Sequence, residues 1–155
     1  MARNTQFAND KDVERNSQIT GNLKRNRHST ARYTEHHKIP RIAKVHFAGN
    51  ATHPDVETIT RLFPEGMYGS IVAFELKDGT RADIFRLMEN LKMVVRATSL
   101  GDVHTMVLYP AMASHRDISP KHRERLGIRD SLVRVSAGIE AVEDVKADLE
   151  QALRA

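Results

Sequence analysis

Ser70-Ile-Val-Ala-Phe-Glu-Leu76, then Lys77-Asp-Gly79, Thr80-Arg-Ala-Asp83 and Ile84-Phe-Arg-Leu-Met-Glu-Asn-Leu91, is the stretch that decides the fold. Ile71, Val72 and Phe74 give its first seven residues the β-branched and aromatic character of a strand, and Asp78-Gly79 supplies the turn that ends it. Thr80 and Asp83 stand at capping-box spacing. Behind them Ile84, Leu87, Met88 and Leu91 recur on one helical face. Strand, tight turn and capped amphipathic helix follow one another with no slack.

The same grammar extends in both directions. Upstream, Ala43-Lys-Val-His-Phe47 alternates like a half-buried strand. His53-Pro54-Asp55 then opens a helix, with proline pre-set for the first helical position and Asp55 complementing the dipole. Ile59, Leu62 and Phe63 are its apolar face. Downstream, Met93 to Ala97 reads as a strand, Ser99-Leu-Gly-Asp102 as a loop and Thr105 to Tyr109 as a strand. Ser119-Pro120 starts a short helix that Gly127 stops, and Leu132-Val-Arg-Val-Ser136 is a further strand. Glu140 to Arg154 is a helix with Val142, Val145, Leu149 and Leu153 on one side. The order is β-α-β-α-β-β-α-β-α. Short strands, two of them adjacent, favour an α+β fold with helices on one face of a mostly antiparallel sheet, over a doubly wound parallel one.

Length and composition set the outer limits. At 155 residues the chain suits one domain. It has no cysteine, which excludes a disulfide scaffold, a thiolate metal site and a thiol nucleophile. No apolar run approaches the roughly 20 residues of a membrane span, and the start lacks the apolar core of a secretory signal. The expectation is a cytoplasmic protein with no membrane partner. Residues 1 to 48 hold 10 Lys and Arg against 4 Asp and Glu, while residues 49 to 155 hold 14 against 16, so the net +4 comes entirely from the N-terminal third. Residues 1–26 read as a flexible basic lead-in with too few large apolar residues to offset the entropy of ordering them. Arg27 to His37 reads as a weak helix, and 27–155 as the domain. Nucleic acid ranks last among partners, because the basic arm has only Phe7 and Tyr33 as aromatics.

The common catalytic signatures are missing: no GxGxxG, P-loop, GxSxG or HExxH occurs. Histidines are scattered, and the adjacent His36-His37 would point apart, so no metal site is expected. Glu143, Asp144, Asp148 and Glu150 read as ordinary solvated helix charge. Two features stand apart. Strand alternation puts Val133 and Val135 on one face and Leu132, Arg134 and Ser136 on the other. Arg134 is thus a lone guanidinium among apolar neighbours, with a planar fork suited to a carboxylate, although an arginine on an exposed sheet face is the commoner occurrence of such a pattern. Ser99-Leu-Gly101 is a strand end turning on glycine, a geometry that brings N–H groups and a hydroxyl close to an anion. A plain connecting loop has the same spacing.

Together these stretches resemble a known family. Ser99-Leu-Gly-Asp-Val-His-Thr105, Tyr109-Pro-Ala-Met-Ala-Ser-His115, Ser119-Pro-Lys-His-Arg-Glu-Arg-Leu-Gly-Ile128, Ser131-Leu-Val-Arg-Val-Ser-Ala-Gly-Ile-Glu140 and Glu143-Asp144 to Leu149 are similar to the C-terminal domain of the pyridoxal-phosphate enzymes of cysteine and methionine metabolism. Phe47-Ala-Gly49, His53-Pro54 and Phe74-Glu-Leu76 are earlier anchors, and the likeness runs from about Ala43 to Leu153. The family includes cystathionine gamma-synthase and gamma-lyase, methionine gamma-lyase and the homoserine sulfhydrylases. The resemblance implies the small C-terminal domain of a fold-type I transferase. It implies that Arg134 binds the α-carboxylate of a sulfur-containing amino acid and that Ser99 assists on the same group. It implies no catalytic or cofactor-binding residue within this chain, elimination or replacement at the γ-carbon as the reaction, and a possible homo-oligomer.

Three departures qualify it. Gly101-Asp102 stands where many members have Gly-Gly, as in the methionine gamma-lyase branch. Tyr109-Pro-Ala-Met-Ala113 replaces the commoner His-Pro-Ala-Ser-Met, in a segment that the resemblance puts near the substrate side. Third, the family's cofactor lysine follows an S-x-T-K motif in the large domain, and none of Lys11, Lys24, Lys38, Lys44, Lys77, Lys92, Lys121 or Lys146 follows Ser or Thr. The expectation is therefore a truncated fragment carrying the carboxylate half of a site, inactive alone because the attachment lysine for pyridoxal 5'-phosphate is absent. The alternative is a non-catalytic module that associates with a full-length enzyme subunit.

Overall fold

The computed structural model describes residues 40–64 and 68–155. The readings of 1–26 as a lead-in and of Arg27 to His37 as a helix lie outside these residues. Among the described residues nine elements occur in the order expected: β1 (Ile42–His46), α1 (Val56–Leu62), β2 (Ile71–Leu76), α2 (Arg81–Asn90), β3 (Val95–Arg96), β4 (Met106–Leu108), α3 (Pro120–Arg125), β5 (Leu132–Ser136) and α4 (Val142–Arg154). The strands form one sheet in the order β1-β2-β5-β4-β3. Only the β3–β4 pair is parallel; the other three pairs are antiparallel. β5 therefore lies in the middle of the sheet, with Ala73 and Leu108 flanking Arg134 in register.

Alternation builds the core. Val45, Val72, Phe74, Val107, Tyr109, Val133 and Val135 join Ile84, Leu87 and Leu91 of the α2 region and Val145, Leu149 and Leu153 of α4 in one buried cluster. Both capping-box arms form at α2: the Asp83 N–H donates to Thr80 Oγ1 at 3.3 Å and the Thr80 N–H to Asp83 Oδ2 at 2.9 Å. Bonds from the Thr80 hydroxyl and amide, with Arg86 and Arg41 nearby, hold the Asp83 carboxyl below its usual range.

Four local expectations change. Pro54 stands one residue before the N-cap Asp55 of α1, not at its first position, and the Asp55 carboxylate makes no capping bond. Instead the Val56 N–H donates to the His53 carbonyl and the Asp55 N–H to His53 Nδ1, so His53-Pro54-Asp55 is a turn. Of the expected α1 face, Ile59 is buried while Leu62 and Phe63 are exposed.

The third strand shrinks from Met93–Ala97 to two residues, and the cause lies on α4. Asp148, expected to be solvated, is only 7% exposed. Its carboxylate takes the N–H groups of Lys92, Met93 and Val94 at 2.9, 2.8 and 2.9 Å. Amides bound to a carboxylate are not available to a strand ladder. Burial alone would raise the Asp148 pKa; the Val94, Lys92 and Met93 amides and the Gln151 amide outweigh it and lower it.

Finally, α4 begins at Val142 and not at Glu140. The Glu140 carboxylate is bound elsewhere, to Thr105.

Candidate functional site

On the sheet face opposite the α2–α4 core, β5 presents Arg134 and Ser136. Ala73 beside Arg134 is small, so the guanidinium is not overlaid by its strand neighbour. The Arg134 side chain reaches the loop between β3 and β4, where Nη2 lies 3.4 Å from the Thr98 carbonyl oxygen and 3.5 Å from that of Ser99. Both distances are long for N–H···O bonds and hold the fork only loosely. Nε is buried and has no hydrogen-bond partner among the described residues. No described carboxylate forms an ion pair with Arg134. Burial without a compensating charge lowers its pKa, though arginine stays protonated.

Ser99 and Arg134, singled out separately in the sequence, thus meet across the open face, through the serine backbone. The Ser99 side chain is exposed. Gly101 adopts a φ of +76°, the left-handed region that favours glycine. Its N–H, expected to face an anion, points at Ser136 Oγ, 3.4 Å away. Asp102 accepts from the His104 N–H at 3.1 Å, and bonds from the His104 backbone and ring hold its carboxyl below the usual range.

Tyr109, the departure placed near the substrate side, points the other way. It is 3% exposed within the core, meets Phe85 edge-to-face, and its hydroxyl donates to the Asp130 carbonyl at 3.0 Å. That substitution is answered by core packing behind the sheet, not beside Arg134.

Three polar clusters escaped the sequence reading. Glu140 grips Thr105 with both carboxylate oxygens at 2.7 Å. Glu75, buried on the open face, binds His46 at 2.7 Å and Arg129 at 3.3 Å. The third is Asp148, for which a signal existed: it falls three residues after Val145 and beside Leu149, inside the apolar stripe of α4. Among the described residues no three His, Asp or Glu side chains gather as a metal would need. Two clefts of about 240 and 250 Å³ lie by Arg123 and Asp130 and along β1 by His46 and His53; neither includes Arg134 or Ser99. No described helix is long and apolar enough to cross a membrane.

The comparisons with known proteins agree on one family. A family model described as "Cys/Met metabolism PLP-dependent enzyme" matches residues 21–154. An L-methionine gamma-lyase of Fusobacterium nucleatum is 42% identical over 116 residues, which are 75% of this chain and 29% of that protein. An O-succinylhomoserine sulfhydrylase of Pseudomonas aeruginosa is 40% identical over 116 residues, 75% of this chain and 28% of that protein. Among solved structures, cystathionine gamma synthase from Xanthomonas oryzae pv. oryzae, in complex with aminoacrylate and cysteine, superposes with a TM-score of 0.76 at 30% identity, covering 85% of this chain and 34% of that one. The chain thus spans under a third of the curated relatives named here. Its fold is that of fold-type I pyridoxal-phosphate enzymes. With the match running over nearly all of its described residues, the chain belongs to the pyridoxal-phosphate-dependent enzyme family of cysteine and methionine metabolism.

Proposed function

We propose that this chain is the substrate-carboxylate-binding domain of a pyridoxal-phosphate-dependent carbon–sulfur lyase or transsulfuration enzyme, with Arg134 as the carboxylate clamp and Ser99 assisting. The observation that carries this reading is the buried Arg134 Nε with no partner, on a guanidinium with no acidic neighbour among the described residues. A buried donor without a partner is costly, on the order of 1–3 kcal/mol. A substrate carboxylate offers the missing acceptor and the missing charge together, through two parallel N–H···O bonds. The name of the similar L-methionine gamma-lyase adds a sulfur amino acid as the substrate class. A cytoplasmic setting suits the absence of cysteine.

Pyridoxal phosphate supplies the family's electron-sink chemistry, but the residues of this chain do not fit it. Of the described lysines, Lys44, Lys77, Lys92 and Lys121 are exposed and Lys146 lies on α4; none follows Ser or Thr. The attachment lysine has to come from outside these 155 residues, and the chain alone is inactive.

The test is an NMR titration of the chain with L-methionine, acetate and L-methioninamide. Saturable millimolar binding of the two carboxylates but not the amide, lost in Arg134→Met, is the expected result. Equal binding of methionine and methioninamide would sink the clamp. An absorbance band from pyridoxal phosphate on one particular lysine, removed by substituting it, would overturn the inactivity.

A second reading, association with a full-length subunit, is favoured by the exposed Leu100, Val103 and Ile139. Clean monomeric light scattering at high concentration would count against it.

A further inference from the structure

We propose that Glu140 is a positioning residue: it holds the loop carrying Ser99 in register with Arg134. This rests on the carboxylate-clamp reading above. The loop leaves β3 after Arg96 and returns to β4 at Thr105, which is fully buried. On its outgoing limb the hydrogen bonds to β5 among the described residues are weak: the two Arg134 Nη2 approaches of 3.4 and 3.5 Å and the Gly101 N–H approach to Ser136 Oγ of 3.4 Å. These lie at the long limit for hydrogen bonds and cannot fix a loop.

The return limb is different. Glu140 Oε1 accepts the Thr105 N–H and Oε2 the Thr105 hydroxyl, both at 2.7 Å. That hydroxyl in turn accepts the Gly138 N–H at 2.9 Å, and the Ile139 N–H donates to the Val103 carbonyl at 2.9 Å. Bonds to an ionised carboxylate of this length are the strong kind. They tie the loop to the segment leaving β5, four to six residues beyond Arg134. The approach is so close that a Cβ on Gly138 would collide with the backbone of Val103 and His104. Within this tie Glu140 takes both donors of Thr105, and so holds the return limb against the strand on which the clamp is built. A small misplacement of a binding group is enough to cost affinity.

The test uses the full chain, with acetate and L-methionine as probes and amide exchange at Leu100 and Gly101 as a second readout. Glu140→Gln replaces one acceptor oxygen by a donor that faces the Thr105 donors. It should weaken carboxylate binding about ten-fold and speed exchange at both amides. Thr105→Val should do the same, and Thr105→Ser, which keeps the hydroxyl, should restore both readouts. A folded Glu140→Gln chain with lowered Tm but unchanged affinity and exchange would overturn the proposal, leaving Glu140 a stabilising residue only. Absence of carboxylate binding in the unaltered chain would instead overturn the clamp. In that event the exchange comparison still decides whether Glu140 sets the loop.

Discussion

Asp148, buried, and Arg134, half-buried with its Nε out of reach of water, are charged side chains on opposite faces of one sheet, and they are treated in opposite ways. On the helix-covered side Asp148 accepts three backbone N–H groups and the Gln151 side chain, so its acceptor capacity is filled. On the open side Arg134 keeps a buried Nε with no partner and no counter-charge. Burial is tolerated where the group's own fold satisfies it. Where the fold leaves a charge unsatisfied, an external partner is the economical explanation. The contrast sets a charge that the fold satisfies against one that it leaves without a partner.

The sharpest way to break the contrast is Asp148→Ala. It strands three N–H groups at the junction of α2 and β3. A loss of about 3 kcal/mol or more is expected in denaturant unfolding, since buried donors lose charge-assisted partners. A loss under about 1 kcal/mol would mean that water replaces the carboxylate, and the junction is not built as described.

Acid gives a second measure of the same carboxylate. Its folded pKa lies below the unfolded value near 3.8. Stability from Asp148 is therefore fully present above that unfolded value and lost as pH falls through the folded one. Asp83 and Asp102, also lowered, add to the same acid-side loss. The difference between the unaltered chain and Asp148→Asn isolates Asp148: it should be largest near neutral pH and shrink as pH falls through the folded pKa. A constant difference down to strong acid would refute the assignment.

The element order was legible because periodicity and caps report local physics. Thr80 with Asp83, the Val133–Val135 alternation and the α4 stripe each depend on neighbours within a few residues. What the sequence concealed depends on partners far along the chain. Met93 was expected in a strand, but its amide belongs to a carboxylate 55 residues on. The spacing of Glu140 suits a helix start, and spacing cannot reveal that its acceptors serve Thr105, 35 residues before it. The face of Arg134 was legible from alternation; that its Nε lacks a partner was not, because absence of a contact has no sequence pattern.

Between the two faces stands the α2 cap, a charge cluster that is satisfied but exposed. Thr80→Ala removes one arm of the capping box. About 1 kcal/mol of destabilisation, read as a lowered denaturant midpoint, is expected of a lost N-cap. Carboxylate binding should not change, because α2 packs behind the sheet. A loss of binding here would show that the two faces communicate.

The smallest effect on stability is expected where the effect on function is largest. Arg134→Met keeps a long side chain against Ala73 and Leu108 while removing the guanidinium. The bonds lost in the free protein are the two long ones to Thr98 and Ser99, which contribute little. Against them stands relief of a buried, unpaired donor. The net change should lie within about 0.5 kcal/mol of zero, or favour the variant, while carboxylate binding disappears. Equilibrium unfolding and the methionine titration measured on one preparation decide it. Destabilisation comparable to Asp148→Ala would mean that Arg134 is a structural charge like its counterpart, with a partner supplied by the chain itself.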